Sequence, residues 1–295
     1  MSTASPSRWL FWGPTLIWAS TWHVILYQLD SGVPVFNSVA WRFGLAALLL
    51  AALARGQGSP LRLPLWAHGW MAATGIVQYS GNYLSVYEAE RHIPSGLVAV
   101  LFCLMVYGNA LSGRLFFGQP VTRRFLASAS GGVLGVVLIF WPEIAATGAR
   151  PSAALGLGLG LFAVLVACIG NVLTLTLTKR GLPLVPVLAW SMGYGAVFLL
   201  GVSVVSGQGL HFDWRPAYVL SLLYLSVAGS VIAFVLYFKL AQARGPAQAA
   251  LTGVIIPVIA LVISAVFEGW QATPLAIAGM ALCLASLWVA TRPGH

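Results

Sequence analysis

Ten long apolar runs occupy most of this 295-residue chain. A helix that crosses the hydrocarbon core of a bilayer needs about 20 mostly apolar residues, because each residue advances the helix by about 1.5 Å. The runs cover, approximately, residues 9–29, 34–54, 65–87, 95–116, 124–141, 153–178, 184–206, 216–240, 246–267 and 274–290. The sequence therefore predicts an all-α membrane protein with ten transmembrane helices.

Charged residues make up only 7% of the chain. A water-soluble domain carries about 25%, because its exterior needs them, so soluble proteins are excluded. The three cysteines, Cys103, Cys168 and Cys283, stand alone within apolar runs, which is typical of buried thiols rather than metal ligands or a disulfide framework. The pattern predicts neither a metal nor another cofactor.

The few charges are distributed unevenly between alternate loops. Positive charge marks the cytoplasmic side of short loops, and most of the 15 Lys and Arg residues share a side with the N-terminus. The acidic residues all fall on the opposite side: Asp30, Glu88, Glu90, Glu143, Asp213 and Glu268. We expect both termini to be cytoplasmic, and the net charge of +9 then reports orientation rather than nucleic-acid binding.

An internal repeat relates residues 32–44 to residues 181–193. The matching pairs are Gly32/Gly181, Pro34/Pro183, Ala40/Ala189, Trp41/Trp190 and Gly44/Gly193. A weaker register pairs Ala99 with Ala250 and Phe116 with Phe267. The chain is therefore expected to divide into two five-helix repeats, residues 1–150 and 151–295. Because five is odd, the second repeat is inverted, an architecture typical of secondary transporters that bind substrate near the bilayer midplane.

The residues Trp41-Arg42-Phe43 and the run 249–257, followed by Phe267-Glu268-Gly269, resemble the drug/metabolite transporter superfamily. The similarity is to EamA-type ten-helix members, and most of all to the YddG-type aromatic amino acid exporters. An aromatic third helix and the connection at residues 90–97 support that subtype. The resemblance implies a protein of the bacterial inner membrane that exports aromatic amino acids by alternating access.

A central cavity needs polar or aromatic side chains on inward helix faces, where they recur at i, i+3 and i+4. Such side chains favour ring-bearing substrates through aromatic and cation–π contacts, although packing between helices is an equally good interpretation. The candidate substrate-binding residues are Trp18, Trp22, Arg42, Tyr79, Asn82, Tyr83, Asn171, Trp190, Tyr194, Ser230 and Phe234.

Arg42 is the most informative candidate, because we expect it close to the middle of the second helix. A charge there costs about 2.5–3.5 kcal/mol or more, so it needs a partner or water. The sequence places no Asp or Glu in a helix core, which leaves backbone carbonyls, a side-chain amide or a substrate carboxylate. Structural support and substrate anchoring are both open interpretations.

His23 is the one candidate for proton coupling within a predicted span, since its ordinary pKa near 6.5 permits a switch. A structural histidine is the alternative, and a passive carrier is then as good an interpretation as an antiporter.

Other functions also fit ten apolar helices. Within transporters, the alternatives are export of other amino acids or of cationic drugs. From different classes, a lipid scramblase and an intramembrane enzyme share the composition. The chain carries no H-E-x-x-H motif and no pair of intramembrane aspartates, which disfavours the enzyme. The expected partners are the lipid bilayer and a small-molecule substrate, and the sequence does not determine the oligomeric state.

Overall fold

The computed structural model describes residues 8–93, 95–147, 152–267 and 273–291, and within these ranges the chain is helical with no strand. The first half contains Trp9–Leu29, Val35–Gly56, a third helix made of Leu65–Thr74, Gly75–Gly81 and Asn82–Glu90, a fourth made of Ser95–Phe102 and Met105–Phe117, and a fifth, Arg123–Ile139. A short helix, Trp141–Thr147, follows. The predicted boundary at residues 150 and 151 lies outside the described residues.

The second half contains the sixth to tenth helices. They are Ala153–Lys179, Leu184–Val205, Pro216–Arg244, a ninth helix made of Pro246–Ala250 and Thr252–Phe267, and Pro274–Thr291. Five spans are by themselves long and apolar enough to cross a membrane: Val35–Gly56, Leu97–Phe117, Ala153–Lys179, Leu184–Val205 and Pro216–Arg244. The prediction of an all-α membrane protein is confirmed.

Helices at matching positions in the two halves pack against each other. The second helix lies along the seventh, and the fifth lies along the tenth. A Cβ atom placed on Gly44 would lie 3.7 Å from the Cβ of Ala196, and one on Gly193 would lie 3.7 Å from the Cβ of Ala47. The two glycines are paired by the repeat that aligns residues 32–44 with residues 181–193, and their contacts with the opposite helix are equivalent.

The repeated tryptophans also make matching contacts. The Trp41 indole N–H donates to the His211 carbonyl at 2.8 Å, and that of Trp190 donates to the Leu61 carbonyl at 2.9 Å. His211 lies between the seventh and eighth helices, whereas Leu61 lies between the second and third. Each half therefore uses its repeated tryptophan to hold the corresponding loop of the other half.

Irregular backbone also recurs at matching positions. The third and eighth helices each contain a π-helical segment, Gly75–Gly81 and Val227–Ile232. The fourth helix is interrupted between Phe102 and Met105, and the ninth at Leu251. π-Helical turns occur frequently at functional sites, because they rotate side chains away from the regular helical stripe. These four helices all contribute residues to one cavity.

Candidate functional site

A cavity lies between helices of the two halves, and its lining combines rings with a few polar groups. The aromatic lining residues are Trp18, Trp22, Tyr83, Phe102, Phe234 and Tyr237. The polar ones are Thr21, Arg42, Gln78, Asn82, Asn171 and Thr252. Ala99 and Ala250, paired by the weaker repeat register, both line it. A mostly apolar concave surface with a few placed polar groups is typical of a small-molecule site.

The aromatic walls are held by ring contacts between the first helix and its neighbours. Trp18 meets Phe234 edge-on with ring centroids 5.3 Å apart, and Trp22 meets Phe102 in the same way at 5.6 Å. The Trp18 indole N–H donates to the Gly229 carbonyl at 3.0 Å. Since backbone of the eighth helix satisfies this polar atom, the Trp18 ring is available for apolar contact.

Arg42 is fixed between three side chains at the cavity wall. Its side chain is 1% exposed, and its Nε donates to the Ser230 hydroxyl at 3.0 Å. Ser230 in turn donates to the Leu225 carbonyl at 2.9 Å, within the π-helical region. The guanidinium carbon lies 4.7 Å from the Tyr83 ring centroid and 5.3 Å from that of Phe43. The charge is thus held by a hydroxyl and two rings, partners that sequence reasoning missed.

The electrostatic environment of Arg42 differs from the expectation, although its position does not. Arg42 is the eighth of the 22 residues of Val35–Gly56, about one turn before the middle of the second helix. Glu90, assigned from sequence to a loop, is the last residue of the third helix. Both its carboxylate oxygens are buried, and the carboxylate interacts electrostatically with Arg42. A protein carboxylate therefore lies within range of the arginine.

A second polar cluster lies on the side of the cavity formed by the fourth, sixth and eighth helices. The Asn171 amide donates to Asn109 Oδ1 at 3.3 Å and to the Tyr237 hydroxyl at 3.2 Å. Asn82 donates to the Ala163 carbonyl at 2.9 Å. Asn82 and Asn171 both line the cavity and also form hydrogen bonds to neighbouring helices. Each therefore joins two helices and contributes a polar group to the cavity wall.

Some predicted residues lie behind the cavity or away from it. Tyr79 is fully buried and packs against Phe43 and Phe234, so it supports the wall together with Ser230. Trp190 and Tyr194 lie in a separate cluster, where the Tyr194 hydroxyl and His68 Nδ1 are 2.8 Å apart. Seven predicted residues line the cavity: Trp18, Trp22, Arg42, Asn82, Tyr83, Asn171 and Phe234.

His23, the predicted coupling residue, lies on the exposed face of the first helix. Its ring meets Tyr27 edge-on with centroids 5.8 Å apart, and it is not among the residues that line the cavity. Proton coupling through His23 therefore has no support from its position.

Sequence reasoning missed the contributions of the interrupted helices. Phe102 and Met105 lie on the two sides of the break in the fourth helix, and Thr252, Gly253 and Ile256 follow the break in the ninth. The signal that points to them is the weak register that pairs Ala99 with Ala250, because it aligns the two interrupted helices.

Metal binding has no visible basis in the described part of the chain, which holds no group of three His, Cys, Asp or Glu side chains able to bind an ion. Cys103, Cys168 and Cys283 are free and buried. The cavity lining offers rings, amides, hydroxyls and a guanidinium, groups that can bind a small molecule through apolar contacts and hydrogen bonds.

Comparison with known proteins gives a family match in both halves. The model of the EamA-like transporter family matches residues 8–141 and 155–292. Protein PecM of Dickeya dadantii is 25% identical, with 87% of this chain and 82% of PecM covered. A probable terminal-alkyne amino-acid exporter of Streptantibioticus cattleyicolor is 26% identical, covering 98% and 94%. A crystal structure with 20% identity superposes with a TM-score of 0.74 over 96% of this chain and 95% of the other.

Proposed function

Because the chain belongs to the EamA-like transporter family, we propose that it exports aromatic amino acids through the cavity between its two halves. It is a multi-pass membrane transporter of a family whose relatives include a named exporter. Aromatic amino acids as the substrate, export as the direction of transport and alternating access as the mechanism are the proposed parts. We also propose the inner membrane of a bacterium, with both termini in the cytoplasm, as its location.

The observation that carries the proposal is a guanidinium set in an aromatic wall. Arg42 lines the cavity, and its Nη1 is buried without a hydrogen-bond partner among the described residues. A buried arginine with a free donor is well suited to a substrate carboxylate, since charge-assisted hydrogen bonds are the strong ones. The rings of Trp22, Phe102 and Phe234 suit a flat apolar side chain.

A named relative supports the amino-acid part of the substrate. The Streptantibioticus cattleyicolor protein matches almost the whole chain and is described as a probable exporter of a terminal-alkyne amino acid. An alkyne is not aromatic, so this relative supports only the amino-acid backbone of the proposed substrate. The aromatic side chain of our proposal rests on the cavity alone.

Alternating access is supported by where the irregular backbone lies. The π-helical segments and the interrupted helices occupy matching positions in the two halves, and both kinds of element border the cavity. Helices of this kind bend or rotate more easily than regular ones. We propose that the two halves rock around the cavity and expose it to one side of the membrane at a time.

Counterflow in proteoliposomes tests the substrate directly. The purified chain is reconstituted, and uptake of labelled tryptophan, phenylalanine, threonine and a cationic dye is compared. We expect uptake of tryptophan and phenylalanine to exceed that of threonine, and Trp22→Leu to reduce tryptophan uptake by about tenfold, since it removes a ring from the cavity wall. Trp70→Leu, on an exposed surface of the third helix, is the matched control.

The outcomes separate the competing functions. Transport of threonine or of the dye without either aromatic amino acid overturns the proposal in favour of another efflux carrier. Lipid movement between leaflets without amino-acid transport identifies a scramblase, and chemical conversion of an added substrate identifies an enzyme. Equal losses of tryptophan and threonine uptake in Trp22→Leu contradict the role assigned to the ring.

A further inference from the structure

Two buried ionisable side chains, Arg42 and Glu90, lie on helices that pack against each other, and no hydrogen bond joins them. Arg42 Nη1 and both carboxylate oxygens of Glu90 lack hydrogen-bond partners within the described ranges. The two side chains nevertheless interact electrostatically. An uncompensated buried charge is costly, by several kcal/mol per ion. Glu90 in its ionised form therefore needs a positive group beside it, while Arg42 can bind a negative one.

The nearest charged residues do not satisfy Glu90. Arg91 and His92 both face Glu88, with N–O distances of 3.5 Å and 3.7 Å, in a partly exposed group at the end of the third helix. The Tyr87 hydroxyl is buried beside both Arg42 and Glu90, and it interacts with the Arg42 side chain. Among the described residues, Glu90 therefore has the arginine and a tyrosine beside it.

The third helix directs Glu90 along the cavity wall. Asn82 and Val86 line the cavity, and Glu90 continues the same stripe one turn further along the helix. Glu90 is not itself a lining residue, but it ends this helix and interacts electrostatically with Arg42, which does line the cavity. A ligand whose carboxylate is bound at Arg42 Nη1 can thus direct a neighbouring positive group toward Glu90.

We propose that Arg42 and Glu90 form a zwitterion site, in which Arg42 binds the carboxylate of an α-amino acid and Glu90 binds its ammonium group. Tyr87 completes the site as a hydrogen-bond partner between the two charges. The inference rests on the proposed function, which it deepens: the cavity selects for the complete amino-acid backbone, and the rings select the side chain.

Ligands that lack one charge test the site. Binding of labelled tryptophan to the purified full-length protein is competed with tryptamine, which has no carboxylate, and with indole-3-propionate, which has no ammonium. In the wild type, we expect each analogue to bind about tenfold or more weakly than tryptophan. Glu90→Gln should weaken tryptophan by a similar factor and leave indole-3-propionate unchanged or tighter, so the preference between these two ligands disappears.

Two variants serve as controls. Arg42→Gln should give the opposite pattern, in which the preference for tryptophan over tryptamine disappears. Glu88→Gln removes a carboxylate two residues away that already faces Arg91 and His92, and should leave all three affinities unchanged. The ammonium role of Glu90 is overturned if Glu90→Gln weakens tryptophan and indole-3-propionate by the same factor, or changes neither.

Failure of the substrate proposal is distinguished from failure of the site. If the wild type binds methionine but no aromatic amino acid, the aromatic part of the proposed function fails. The affinities of the same variants are then measured for methionine, for 3-(methylthio)propylamine, which lacks the carboxylate, and for 4-(methylthio)butyrate, which lacks the ammonium. The zwitterion site is tested by the same loss of preference between methionine and each analogue. A wild type that binds no α-amino acid overturns both proposals.

Discussion

The third and eighth helices have the same backbone irregularity but different side chains at it. Both contain a π-helical segment beside the cavity, Gly75–Gly81 and Val227–Ile232. The first segment and the residues that follow it present Gln78, Asn82 and Tyr83, whereas the second presents the Gly229 carbonyl and the Ser230 hydroxyl. The two halves thus share the π-helical segment but differ in the side chains that it carries.

Charge follows the same division. Arg42 and Glu90 both belong to the first half, and the residue that matches Arg42 in the repeat register is the buried Ser191. The second half supplies Ser230, which holds the Nε of Arg42. We interpret this as a division of roles: the first half carries the charged groups, and the second positions them.

The largest expected effect comes from a close contact with backbone that the third helix makes at Gly75 and the eighth helix does not make at Gly229. A Cβ atom on Gly75 would overlap the Ser191 carbonyl and lie 2.8 Å from the Gly195 nitrogen. Because backbone cannot move aside cheaply, Gly75→Ala should destabilise the protein by about 3 kcal/mol or more. The melting temperature in detergent and the recovery of monodisperse protein measure this loss.

Gly229 in the eighth helix provides the contrast. An added Cβ would lie 3.0 Å from Thr21 Cγ2 and 3.3 Å from Arg42 Nη2, both of which belong to side chains. Gly229→Ala should therefore cost only about 1 kcal/mol of stability while it displaces Arg42 and lowers transport. Gly69→Ala, with no atom within 4 Å, is the control and should be neutral or slightly stabilising. Equal losses for Gly75 and Gly229 contradict the contrast.

An intermediate effect is expected where the halves are equivalent. Trp41→Phe and Trp190→Phe each remove one hydrogen bond to a loop carbonyl and retain an aromatic ring. Each should cost about 0.5–1.5 kcal/mol, and the two losses should be similar. Melting temperatures of the two variants check this, with Trp70→Phe on an exposed surface as the control. A large difference between the two losses of stability would show that the two hydrogen bonds, although similar in length, do not contribute equally to stability.

The helices were predictable because lipid imposes a simple condition. Every backbone group within a bilayer needs a partner, so long apolar runs become helices, and runs such as residues 184–206 correspond closely to Leu184–Val205. The internal repeat could be detected in the sequence at positions where close helix packing permits only small residues. Gly44 and Gly193 are examples, because they face Ala196 and Ala47.

The cavity was only partly predictable, because helix rotation is set by packing rather than by polarity. Trp190 and Tyr194 have the spacing of an inward stripe, yet the close approach of the third helix at Gly75 turns them toward His68. Hydropathy also assigns Glu90 to a loop, because a charged residue lowers the hydropathy of its segment. In the structure the helix continues to Glu90, and both its carboxylate oxygens are buried. Polar character alone thus does not identify the face that a helix turns inward.

The smallest expected effect belongs to the loop before the eighth helix, outside the spanning helices. Asp213 accepts hydrogen bonds from the Arg215 backbone N–H at 2.9 Å and from its Nε at 2.6 Å, and these contacts lower the pKa of the carboxyl. Arg215 also donates to the Ser31 carbonyl at 2.9 Å and so joins the two halves. Because the Arg215 side chain is largely exposed and water screens the ion pair there, Asp213→Asn should lower the melting temperature only slightly at pH 7.

The sign of the pH dependence distinguishes this ion pair from the buried charges. A carboxyl whose pKa is lowered by folding stabilises the protein fully above its ordinary pKa, near 3.9, and loses that contribution as the pH falls through the folded value. The difference in melting temperature between the wild type and Asp213→Asn should therefore be constant from pH 7 to pH 5 and shrink below about pH 4. A difference that grows on acidification contradicts the assignment, and it would mean that the Asp213 carboxylate is unfavourable in the folded loop.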